Sequence, residues 1–181
     1  MRKTNTYCEQ DVLENVITNP NGLKQAARDL CEKALTDAKI QLHPLLQQVE
    51  LERLDQRCEF LQAFKHALEK ELARKIVRWQ PCVQAVYKFD AARGGRMECW
   101  DNTIHLLVLV PQLFHAINEL GEKLDCDILK QFKRLSWTRF QNSKSIIEIQ
   151  QVTPDEIRHR VSYGAMFLSL YAAPAQVWPL S

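Results

Sequence analysis

Three places in the sequence combine residue types that could do chemistry. His105 lies in the apolar run TIHLLVLV, Thr103 to Val110, a few residues after Glu98 and Asp101. An imidazole held by carboxylates can serve as a general base or a metal ligand, provided that partners converge on it in the fold. A histidine hydrogen-bonded into a sheet explains the same residues without any ligand. The second place is RGGR, Arg93 to Arg96. Its adjacent glycines leave the backbone free to turn amides toward an anion, and its guanidiniums can hold a phosphate bidentately. It lacks the spacing and the Lys-Ser/Thr ending of a P-loop, and as a turn between strands it also reads as a solvated hairpin tip. The third is KQFKRLSWTRFQNSK, Lys130 to Lys144, with five cationic side chains, no acidic one and three aromatic rings. Cations that follow a phosphate backbone, interleaved with rings that stack on bases, are what single-stranded nucleic acid requires.

The other reactive residues form no motif. His115 and His159 lack a His-Glu-x-x-His neighbourhood, and Ser162 in VSYG does not match Gly-x-Ser-x-Gly. The six cysteines, Cys8, Cys31, Cys58, Cys82, Cys99 and Cys126, are widely spread with no Cys-x-x-Cys pair, which is neither zinc nor redox-motif spacing. Cys58 reads as a core residue and Cys99, beside Trp100, as an exposed one. No metal and no cofactor is expected. The start, MRKTNTYCEQDVLENV, has no apolar run of signal-peptide length, so the expectation is a cytoplasmic chain with reduced thiols and no disulfides. The most apolar stretch, Tyr163 to Ala173, is about half of the roughly 20 residues that cross a bilayer, so no membrane partner is expected.

The elements that must position these residues follow from periodicity. A turn at NPNG, Asn19 to Gly22, precedes Leu23, Ala26, Ala27, Leu30, Ala34 and Ala38, which recur at helical spacing. Pro44 suits a first helical turn, and no proline or glycine interrupts the chain from there to Gln80. One long helix over about 44–80 is therefore predicted, roughly 50 Å in length. Its stripe of Leu51, Leu54, Cys58, Leu61, Leu68, Leu72 and Ile76 is nearly heptad, which suits an intramolecular bundle or a dimerising coiled coil.

From Pro81 the period becomes two, and strands are predicted over about 82–90, 103–110 and 145–152. The middle one is apolar on both faces and reads as central. Pro111 opens a helix that Gly121 ends, and Asp125 caps the next. TPDE, Thr153 to Glu156, is a capping box that starts a short helix. The apolar tail from Ser162 should dock on the core. The fold class is thus α+β: a helical segment over 1–80, then an α+β segment over 81–181 with a small, mainly antiparallel sheet and packed helices.

Net charge is only +2, but its distribution is uneven. Leu72 to Met97 holds six Lys or Arg against Asp90 alone, and Lys130 to Lys144 is wholly cationic, so the rest of the chain carries an acidic excess. Part of the second segment has a local explanation. Asp125 and Asp127 near the start of a helix, with Lys130, Lys133 and Arg134 toward its end, suit the helix dipole, and Phe132 falls on the core face. Arg139 and Lys144 are not accounted for in that way.

The expected function is that of a non-enzymatic regulatory or accessory protein whose basic surface binds nucleic acid through Arg93, Arg96, Arg134, Trp137, Arg139 and Lys144. The alternative is a protein-interaction or oligomerisation module that uses the long helix or the apolar tail, with a protein partner or a second copy bound. A third reading is an enzyme with its site around His105.

Overall fold

The computed structural model describes residues 10–46, 54–89, 103–135, 144–169 and 173–179. Three helices open the chain: α1 (Gln10–Thr18), α2 (Pro20–Leu46) and α3 (Leu54–Trp79). NPNG is the start of a helix rather than a free turn. The Asn19 side chain accepts a hydrogen bond from the Gly22 amide at 3.0 Å, and Pro20 takes the first helical position, where its missing N–H costs nothing. Leu23, Ala26, Ala27, Leu30, Cys31, Ala34 and Ala38 are all buried, as their spacing predicts.

The long helix needs correction. α2 continues through Pro44, so this proline opens nothing, and α3 begins at Leu54 with 26 residues, about 39 Å of helix. Pro44 sits near the end of α2, where few following residues depend on the ladder that it interrupts. Leu61, Phe64, Leu68, Leu72 and Ile76 are buried, and α3 packs chiefly against α2, so this part of the stripe is intramolecular core. Ala27, Ala34 and Ala38 on α2 and Ala67 and Ala73 on α3 are buried in the same cluster, where small side chains allow close packing of the helices. Leu51 and the side chains of Leu54 and Cys58 lie outside the described residues.

The sheet contains β1 (Ala85–Lys88), β2 (Ile104–Leu109), β3 (Ile147–Val152) and β4 (Ala175–Trp178) in the order β3-β2-β1-β4. β1 pairs antiparallel with β2 and β4, whereas β2 and β3 are parallel. The parallel pair is bridged by α4 (His115–Leu135), which runs antiparallel to β3: Phe114, just before its first turn, bonds Gln151, Gly121 lies against Ile149, and Asp125 bonds Ile146 and Ile147.

α4 replaces the two predicted helices. Gly121 does not end a helix; it lies inside one, because a Cβ there would sit 3.3 Å from the Cβ of Ile149. Close packing of helix on sheet outweighs the roughly 1 kcal/mol that glycine costs a helix interior. Nor does Asp125 cap a helix. Its carboxylate accepts the Ile146 and Ile147 amides at 2.7 and 2.8 Å, tying α4 to the start of β3.

Strand alternation sorts the side chains onto two faces. Val86, Ile104, Leu106, Val108, Ile147 and Ile149 join the helices in one buried cluster that extends from Leu13 to Val177. Tyr87, Phe89, His105, Leu107, Glu148 and Gln150 are on the other face. There a 3-10 helix (Ser162–Leu168) packs, with the Phe167 ring edge-on to Tyr87 at 4.8 Å and Tyr163 at 6.1 Å from Phe89. α5 (Pro154–His159) precedes it and has the predicted capping box, in which the Thr153 hydroxyl accepts the Glu156 amide and Glu156 accepts the Thr153 amide. The apolar tail thus supplies a second covering layer and, in β4, an edge strand that sequence periodicity did not reveal. Nor did periodicity mark α1 as a separate helix.

The expectation of reduced thiols fails at Cys82, which is disulfide-bonded. Cys31 and Cys126 are free, and burial pushes the Cys31 thiol up to about 12, with Glu32 adding to the effect. Among the described residues no helix is long and apolar enough to cross a membrane.

Candidate functional site

The antiparallel β1–β2 hairpin puts Phe89 and Thr103 at one edge of the sheet, with the Phe89 amide donating to the His105 carbonyl at 3.2 Å. β3 enters at the same edge because it is parallel to β2: Ile104 is paired with Ile147, and its amide donates to the Ile146 carbonyl at 2.6 Å. Consequently the connection 90–102, which carries Arg93 and Arg96, and the connection 136–143, which carries Trp137 and Arg139, both attach to this edge. α4 also extends past it, since roughly ten residues, or about 15 Å, follow Asp125 before Leu135. That overhang bears Lys130, Lys133 and Arg134.

Of the six predicted contact residues, Lys144 is described in full and is exposed immediately before β3. Arg134 falls in the last turn of α4, with its side chain outside the described residues; Arg93, Arg96, Trp137 and Arg139 lie outside them entirely. Lys130 is exposed, and Cys126 and then Asp127 beside it raise its ammonium above the ordinary value, so it stays cationic.

His105 is also at this edge, but its carboxylate partner is not one of those expected. The register sets Glu148 directly beside it on β3, with His105 Nδ1 2.9 Å from Glu148 Oε2. Gln150 Nε2 donates to the other carboxylate oxygen at 2.9 Å, and the Phe89 ring packs 5.1 Å from the imidazole at a 40° tilt. The imidazole is 14% exposed and the Glu148 side chain 41%. The pair is therefore half-buried, held by rigid strands and open to solvent on the carboxylate side. Glu98 and Asp101 lie outside the described residues. A linear reading of the sequence favours neighbours in the chain. The signal it passed over is the alternation in SIIEIQQV, which puts Glu148 and Gln150 on one face.

The other candidates do not assemble. His115 and His159 are exposed, and Ser162 sits in the 3-10 helix with φ 49° and an exposed side chain. His66 lies 3.6 Å from Glu69, which also faces Lys88 at 3.4 Å, in an ion cluster between α3 and β1. Among the described residues no group of three or more His, Cys, Asp or Glu could hold a metal ion.

A shallow depression of about 270 Å³ between α2 and α3 is lined by Asp37, Ile40, Lys70, Glu71 and Arg74. Burial pushes the Glu71 carboxyl up, but hydrogen bonds and charge from Lys33 and Arg74 outweigh burial and hold it below the usual carboxylate range. Lys33 Nζ is 2.7 Å from Glu71, so this network has a structural explanation in pinning α2 to α3.

No family model, curated protein or solved structure matches this chain.

Proposed function

We propose that the protein is a nucleic-acid-binding accessory or regulatory protein, and that its contact surface is the sheet edge at which β2 and β3 begin. One observation supports this reading above the others. The two basic connections are far apart in sequence, yet the segments that follow them into β2 and β3 are hydrogen-bonded neighbours, Ile104 to Ile146. Cations close to one another act on the same stretch of phosphate backbone, whereas cations scattered over a surface do not. Lys144 and the basic overhang of α4 add to the same field.

The surface reads phosphate more than base, so binding is weak, sequence-tolerant and strongly salt-dependent. Fluorescence anisotropy with labelled single- and double-stranded oligonucleotides across a salt series tests it. Arg93→Ala with Arg96→Ala, and separately Arg139→Ala with Lys144→Ala, each reduce the salt slope by roughly one to two units. Absence of binding at low salt overturns the proposal.

A further inference from the structure

We propose that His105 and Glu148 form a proton-transfer dyad that cleaves single-stranded RNA held at this edge, an inference that rests on the nucleic-acid reading above. The Nδ1 of His105 faces the carboxylate at 2.9 Å, which selects the tautomer that donates from Nδ1 and leaves the Nε2 lone pair to accept a proton. Both carboxylate oxygens are engaged, one by His105 and the other by Gln150, so the orienting group is itself fixed. The Phe89 ring against the imidazole limits its rotation. Such rigidity is what a positioned base needs and what a surface ion pair lacks.

A single imidazole base needs a nucleophile supplied by the substrate, and the ribose 2′-hydroxyl is one that RNA carries and DNA lacks. Nε2 takes the 2′-hydroxyl proton as O2′ bonds to the adjacent phosphorus. The P–O5′ bond breaks, and its electron pair stays on O5′, which takes a proton from water. The hydroxide left behind recovers the proton from Nε2. The products are a 2′,3′-cyclic phosphate and a 5′-hydroxyl, with no change of oxidation state. His105 is the catalytic residue and Glu148 a positioning residue.

The test uses the full chain, a 5′-labelled single-stranded RNA and a DNA of the same sequence, with products resolved by electrophoresis and their ends identified by mass. RNA is expected to yield fragments with cyclic phosphate ends while DNA stays intact. His105→Ala lowers the cleavage rate by about 10²–10⁴-fold, and added imidazole restores part of it. Glu148→Gln lowers kcat while the Kd for RNA measured by anisotropy is unchanged, and Glu148→Asp recovers part of the loss. Circular dichroism of each variant establishes that it is folded. RNA that binds to the wild-type protein but stays intact overturns the dyad and leaves the binding proposal standing, as does cleavage undiminished in His105→Ala. Failure of RNA to bind overturns both.

Discussion

Replacing Asp125 with alanine tests how the helical layer holds the sheet edge on which the candidate site is built. The carboxylate accepts two backbone amides, Ile146 at 2.7 Å and Ile147 at 2.8 Å, and both belong to the segment that leads from Lys144 into the strand of Glu148. Hydrogen bonds to a charged group contribute about 1.5–3 kcal/mol each. Asp125 is half-buried, so water can replace part of what is lost, and the low end applies. The expected cost of Asp125→Ala is about 3 kcal/mol, or roughly 6–12 °C in Tm for a chain of this size. Asp125→Asn keeps an acceptor in place without the charge and should cost about 1 kcal/mol. Urea denaturation measures both differences, and hydrogen exchange should show lost protection at the Ile146 and Ile147 amides before other β3 amides change. An alanine variant within about 0.5 kcal/mol of the parent, or an asparagine variant as damaging as alanine, would refute the idea that this carboxylate ties α4 to β3.

Three further outcomes are expected. Gly164→Ala should destabilise by more than about 2 kcal/mol, because the added Cβ would overlap the Glu156 backbone carbonyl, which cannot move without breaking the capped α5; a thermal melt like the parent's would refute this. Glu71 has a carboxyl held below its unfolded value, so the stability that it contributes is complete above the ordinary carboxylate range and is lost as pH falls through the lowered folded value. Denaturation of the parent and Glu71→Gln across acid pH should therefore show their difference shrinking as pH drops, and a pH-independent difference would contradict the assignment. Leu61→Glu should unfold the chain rather than yield a folded monomer, because Leu61 is 8% exposed and its replacement would bury an unpaired carboxylate; circular dichroism with sedimentation distinguishes the two results.

What was legible in the sequence was whatever depends on residues within a turn or two of each other. The spacing of Leu23, Ala26, Ala27, Leu30, Ala34 and Ala38 placed the buried face of α2, because a helix repeats its faces every three to four residues. Thr153 and Glu156 marked the start of α5, because a capping box is closed by groups three residues apart. The two-faced apolar run around Leu106, Leu107 and Val108 marked β2 as a central strand, since each face meets its own packing layer.

Tertiary structure decided the rest. Gly121 is a helix breaker by its local preference, and only the close approach of Ile149 makes it the residue that fits there. Asp125 resembles a cap until β3 brings two amides to it from about twenty residues away. The partner of His105 is 43 positions along the chain, in a strand whose parallel pairing was not legible, because nothing in either strand's own sequence states its direction relative to a neighbour. The strands that follow 90–102 and 136–143 therefore start side by side, with Ile104 paired with Ile147, because α4 crosses back over the sheet and makes β3 parallel to β2.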